Sequence, residues 1–220
     1  MRVEVKNIDA QSFVDLFPPC NGCIYWEAPG LFRDGGHGRQ WLSAKKATEI
    51  KYDWFKKTLK TFGRCGVVLY LDGKPVGYSQ YAPPSLLPNV MEYAQSVSPP
   101  GQDAVLISCL YIRPEHQRRG LGKTLLQKVV GNIEESGCRA IETYARDDSS
   151  DNCSGPTRFY LENGFTLVAT KECMGVKCEY RRNHVWPRPG NPADTLPYRV
   201  EPLEHKRKTS VIEKGLVAPK

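Results

Sequence analysis

Polar and apolar residues alternate over residues 2–8, the period of two that predicts a half-buried opening strand. Asp9 can cap a short helix carrying Phe13, Val14, Leu16 and Phe17, which Pro18 and Pro19 end. Residues 20–40 mix Gly, Pro and aromatics and predict a loop of fixed shape. Ser43 then caps a helix to about Phe62, whose inner face is Ile50, Trp54, Phe55 and Leu59. The runs 66–71 and 75–81 flank Asp72-Gly73, a pair that supplies the positive φ angles of a tight hairpin.

Residues 82–103 hold five prolines and predict a loop with one helical turn near 87–94. The continuous apolar run 104–112 predicts a strand buried on both faces. A helix follows from Leu121 to about Ser136, with Leu125, Leu126, Val129, Val130 and Ile133 inward, then a stop at Gly137 and a strand over 139–145. This strand-helix-strand unit requires parallel strands. A short helix between Pro156 and Gly164 and two strands, 165–172 and 176–182, complete an α/β (α+β) pattern with a mixed central sheet.

The chain has 220 residues, 40% hydrophobic and 25% charged, enough for one globular domain over 1–182 and a C-terminal extension over 183–220. No apolar run approaches the roughly 18 residues of a membrane span, and the first residues lack a signal peptide's apolar core. A soluble, cytoplasmic protein with no membrane contact is expected. Of the net charge of +7, the last 40 residues contribute +5, from nine basic and four acidic residues, and they hold six prolines. That basic tail suits an acidic partner, but it lacks the basic-aromatic interleaving of a nucleic-acid surface.

Eight cysteines are scattered at 20, 23, 65, 109, 138, 153, 173 and 178, several inside apolar runs, which favours reduced thiols over a disulfide framework. Cys109 reads as a buried small apolar residue. Cys20-x-x-Cys23 alone has redox or chelating spacing; with no second such pair, a four-cysteine zinc site is not expected.

The chemistry concentrates after the apolar strand, in Leu110-Tyr111-Ile112-Arg113-Pro114-Glu115-His116-Gln117-Arg118-Arg119-Gly120-Leu121-Gly122-Lys123. A strand feeds a loop that opens directly into a helix, whose first four N–H groups have no intrahelical partner. Gly120 and Gly122 let the backbone approach an anion, and Arg118, Arg119 and Lys123 add charge beside the positive end of the helix dipole. The plainer alternative is that the glycines turn the chain and the cations are solvated. The spacing fits neither G-x-x-x-x-G-K-[ST] nor G-x-G-x-x-G.

Gln117, Gly120 and Gly122 match the Q/R-x-x-G-x-G/A hallmark of the GNAT acyltransferase superfamily, and Arg158-Phe159-Tyr160-Leu161-Glu162-Asn163-Gly164-Phe165 resembles its Tyr-x-x-x-Gly-Phe signature. The resemblance implies a sheet whose fourth and fifth strands, here 104–112 and 139–145, splay apart around acetyl-CoA. Its pantetheine would pair with the backbone at Leu110, Tyr111 and Ile112. Its pyrophosphate would rest on the amides of Gln117, Arg118, Arg119, Gly120, Leu121, Gly122, Lys123 and Thr124. The implied activity is transfer of acetyl to a primary amine of a small molecule or peptide, with Tyr160 as proton donor; homodimers are compatible with it. Two positions depart from the family pattern. Leu106 replaces the usual strand glutamate, and Cys153 takes the register of a pantetheine-binding asparagine, leaving Asn152, one residue earlier, as the candidate.

A lysine-like amine, with a pKa near 10.4, is neutral in only about one molecule in 2,500 at pH 7, so a base is needed. Strand alternation makes Glu142 the first candidate and Glu27 in the aromatic loop the second, with water as the remaining possibility. An acyl-CoA sensor without catalysis is the competing function.

Overall fold

The computed structural model describes residues 1–33, 42–147, 153–173 and 176–184. Seven strands form one sheet, β1 (Val3–Asn7), β2 (Gly66–Leu71), β3 (Lys74–Ala82), β4 (Ala104–Ile112), β5 (Ala140–Arg146), β6 (Thr166–Cys173) and β7 (Val176–His184). Their order is β1-β2-β3-β4-β5-β7-β6. All neighbours pair antiparallel except β4 and β5, which run parallel as the strand-helix-strand pattern requires.

Five helices are described: α1 (Pro29–Arg33), α2 (Ala44–Phe62), α3 (Val90–Ser96), α4 (Leu121–Glu134) and α5 (Thr157–Glu162). Ser43 caps α2 by accepting from the Lys46 N–H at 3.2 Å, and Gly63 closes it at φ +82°. The β2–β3 turn uses Asp72 at φ +49° and Gly73 at φ +80°, the geometry read from the Asp-Gly pair.

The sheet is covered on both faces, which explains the unbroken apolar run of β4. Leu106, Cys109 and Tyr144 join Phe13, Phe17, Trp26, Trp54 and Phe55 on one face. Val105, Ile107, Ile141 and Ala145 join Leu125, Val129, Ile133, Tyr160 and Phe165 on the other. Each large aliphatic side chain so buried contributes about 1.5–3 kcal/mol.

The structure differs from the expectations in four places. The segment after Asp9 is a single 3-10 turn, Ser12–Asp15, in which the Asp9 carboxylate accepts from Ser12 instead of capping a longer helix. The loop expected over 20–40 contains α1, and residues 34–41 lie outside the described residues. The buried face of α2 is Ala47, Lys51, Trp54, Phe55 and Thr58, with Leu59 only packed against its margin, so a lysine sits where an apolar residue was expected. The last strand, expected over 176–182, runs on to His184, and residues 185–220 lie outside the described residues.

Candidate active site

β4 and β5 pair at only four positions, from Ala104 with Ala140 to Ile107 with Thr143. Beyond them the strands diverge, and residues 153–155 enter the gap. Three successive carbonyls anchor this plug. The Leu110 N–H donates to Cys153 O at 2.7 Å, the Tyr160 hydroxyl to Ser154 O at 2.8 Å, and the Arg146 N–H to Gly155 O at 3.2 Å. Gly155 sits at φ +74°, and a Cβ there would lie 3.2 Å from the Tyr160 ring, so only glycine suits the close passage.

Tyr160 is fully buried on α5, its ring packed edge-on against Phe159 and Phe165. Burial pushes its phenol above the ordinary tyrosine value, a shift that a hydrogen bond with Thr143 partly offsets. It therefore carries its proton at neutral pH, as a donor must. The Thr143 hydroxyl in turn donates to Ile107 O at 3.0 Å, at the fork itself.

At the upper end of β4, Gln117 folds back so that its Nε2 donates to Ile112 O at 2.9 Å. Gly120 caps α4 at φ +78°, and Arg118 is also left-handed at φ +59°. Thr124 N–H donates to Gly120 O at 3.2 Å, which leaves the amides before it at the exposed start of the helix. Arg118, Arg119 and Lys123 are exposed there, while Leu121 is buried beneath and Gly122 lies against the Phe159 ring. On β4, Leu110 and Ile112 face the α4 side, and Tyr111 packs against Phe17 on the opposite face. Asn152 lies outside the described residues.

The two candidate bases differ in setting. Glu142 is buried within the paired part of β5, with its Oε2 accepting from Gly101 N–H at 3.0 Å. Glu27 is buried against α2 in a network that the sequence did not disclose. Its Oε1 accepts from Lys51 Nζ at 2.6 Å and from Gln80 Nε2 at 2.7 Å, while its buried Oε2 has no hydrogen-bond partner among the described residues. Lys51 Nζ also donates to Cys23 O at 3.0 Å and to Gln80 Oε1. Burial acts to strip the Lys51 proton, but the acidic groups around it, Glu27 foremost, together outweigh this and hold the ammonium above the ordinary lysine value. Gln80 stands opposite Cys109 in the β3–β4 register, so this network abuts the gap from the α2 face.

Lys51 was legible in principle, because the stripe Ala47, Lys51, Trp54, Phe55 and Thr58 keeps helical spacing; reading lysine as solvent-facing hid it. Nothing in the sequence singled out the plug residues Ser154 and Gly155. Among the described residues no group of histidines, cysteines and carboxylates is arranged to hold a metal ion. Of the paired cysteines, Cys20 is buried and Cys23 half-buried, its thiol pushed up by burial.

The model of the Acetyltransferase (GNAT) family matches residues 24–165, nearly two thirds of the chain and nearly all of the site just described. The chain belongs to the GNAT acetyltransferase family. No curated protein matches its sequence. Among solved structures, PaiA N-acetyltransferase from Thermoplasma acidophilum, in complex with coenzyme A, shares 15% identity at a TM-score of 0.54; the match covers 84% of this chain and 100% of that one. YncA from Salmonella typhimurium, with its cofactor acetyl-CoA, shares 13% identity at 0.55, covering 84% and 94%. Ribosomal-protein-alanine N-acetyltransferase from Brucella melitensis shares 14% identity at 0.53, covering 83% and 99%. At these identities the likeness is one of fold. This GNAT domain departs from the expected family pattern at Leu106, which is fully buried, so β4 offers no carboxylate there.

Proposed function

We propose that the protein transfers an acetyl group from acetyl-CoA directly to a primary amine of a small molecule or peptide. The observation that carries the reading is the fork of β4 and β5 lying directly below a glycine-capped helix start flanked by exposed cations. The fork is the right shape for a thin amide-bearing arm, and the helix start for a pyrophosphate. The cosubstrate would pair with the backbone at Leu110 and Ile112 and lay its phosphates on the amides of residues 117–124. To do so it must take the Leu110 N–H from the Cys153 carbonyl, the thioester oxygen replacing a peptide oxygen as its acceptor.

When bound, acetyl-CoA supplies the activated thioester. The Leu110 N–H is then placed to stabilise the oxyanion, and Tyr160, released from Ser154, to protonate the departing thiolate. Glu27 is the base favoured by geometry, because its Oε2 is open to a proton while Oε1 is committed to Lys51 and Gln80. Glu142 lies in the paired part of β5, outside the fork, with its Oε2 on Gly101.

A thiol-release assay with acetyl-CoA over a panel of amines tests the reading, alongside CoA binding by calorimetry. Turnover with at least one amine is expected. Binding without turnover would make the domain a sensor, and absence of both would sink the assignment. With an accepted amine in hand, Tyr160→Phe should lower kcat by about 10²-fold or more while leaving CoA affinity within a few-fold.

A further inference from the structure

Three thiols meet beside the plug. Cys20 and Cys109 belong to one buried cluster, and Cys153 packs against it. The Cys109 thiol is in hydrogen-bonding contact with both Cys153 and Cys20, and all three are reduced. The backbone bond from Leu110 N–H to Cys153 O, 2.7 Å long, holds the plug against β4 as a neighbouring strand would be held. Chains so joined run about 4.8 Å apart. Cys109 is the residue next to Leu110, and its thiol already touches that of Cys153, as a disulfide between them requires. Cys153 is half-buried, whereas Cys20 is only 1% and Cys109 9% exposed, so an oxidant reaches Cys153 first.

We propose that Cys109 and Cys153 form a reversible disulfide that locks residues 153–155 into the fork and closes it to acyl-CoA. The inference rests on the assignment of the fork to acyl-CoA given above. The oxidant is a low-molecular-weight disulfide. The Cys153 sulfur attacks it, forming a mixed disulfide and releasing one thiol. The Cys109 sulfur then attacks the Cys153 sulfur, closing the internal bond and releasing the second thiol. Two electrons pass to the oxidant, and the two cysteine protons end on the released thiols.

The pairing matters for what the bond does. A bond from Cys20 to Cys109 would join residues that are already buried together and would leave the plug free to swing out. A bond from Cys109 to Cys153 ties the plug to the strand whose Leu110 amide the cosubstrate needs. Reduction frees it, so cosubstrate binding becomes sensitive to the thiol–disulfide balance around the protein.

The test uses the full chain, oxidised with glutathione disulfide and then reduced with dithiothreitol. Peptide mapping by mass spectrometry identifies the bond, and calorimetry follows a desulfo analogue of CoA, which has no thiol with which to reduce it. Oxidation should produce the bond from Cys109 to Cys153 and weaken analogue binding at least tenfold, and dithiothreitol should restore it. Cys109→Ser, or Cys109→Ala if the serine variant does not fold, should show no loss on oxidation, while Cys20→Ser should keep the full response. A mapped bond from Cys20 to Cys109, or no bond, overturns the proposal. The expected bond with unchanged affinity overturns the gating alone and leaves the acyl-CoA reading standing. A reduced protein that binds no analogue overturns both.

Discussion

Replacing Lys51 by methionine should expose how much of the fold rests on one buried charge. The methionine keeps most of the aliphatic volume beside Trp54 but removes the ammonium that bonds Glu27 at 2.6 Å, Cys23 O at 3.0 Å and Gln80. The two charged side chains are 4% and 1% exposed, so water cannot replace what is lost. Glu27 would keep only the Gln80 amide at 2.7 Å, an uncompensated carboxylate in the core. Stranding one partner of such a pair typically costs about 3–5 kcal/mol. For a domain of this size that corresponds to a drop in melting temperature of about 6–20 °C.

Urea denaturation followed by circular dichroism measures the loss. The double variant Glu27→Gln with Lys51→Met should recover at least half of it, because no charge is left behind. A loss below about 1 kcal/mol, or a double variant no better than the single one, would refute the reasoning.

Gly66→Ala should destabilise by about 1–3 kcal/mol in the same denaturation experiment. The new Cβ would lie 2.7 Å from the Ser79 carbonyl oxygen, and backbone cannot step aside. A Cβ at Gly120 would meet no atom within 4 Å, but Gly120→Val must hold φ +78°, so it should distort the helix start and weaken CoA binding at least tenfold by calorimetry. Gly120→Asn, which tolerates that conformation, should lose much less. Burial pushes the Cys65 thiol up to about 12 and the Tyr81 phenol to about 12. Because both values are raised by folding, their contribution is complete below pH 9 and lost as pH climbs through 12; the melting temperature should fall over that window, less steeply in Cys65→Ala.

What could be read from the chain was what local chemistry decides. β4 begins at Ala104 and ends at Ile112 as the apolar run does, and the Asp72-Gly73 turn and the Ser43 and Gly63 ends of α2 follow from caps and positive φ. The glycine-rich helix start was legible because strand, loop and helix are contiguous. The rest depends on partners distant in sequence. Lys51 is buried only because Glu27 and Gln80, 24 and 29 residues away, come to meet it. Residues 153–155 become a plug only because Leu110 and Arg146 happen to leave two amides facing each other across a gap. No periodicity records either fact.

The fork has a consequence for how the molecule breathes. β3 and β4 register at six positions and β5 and β7 at seven, but the parallel seam between β4 and β5 registers at four. The sheet is therefore two antiparallel blocks, one with β1 to β4 and the other with β5 to β7, joined at a short line of bonds. Sub-global opening follows lines of few bonds. In native-state hydrogen exchange the amides on either side of that seam should divide into two cooperative groups of unequal protection. A ligand that spans the fork would bind both blocks at once and bring the slower-exchanging limit of the two closer together.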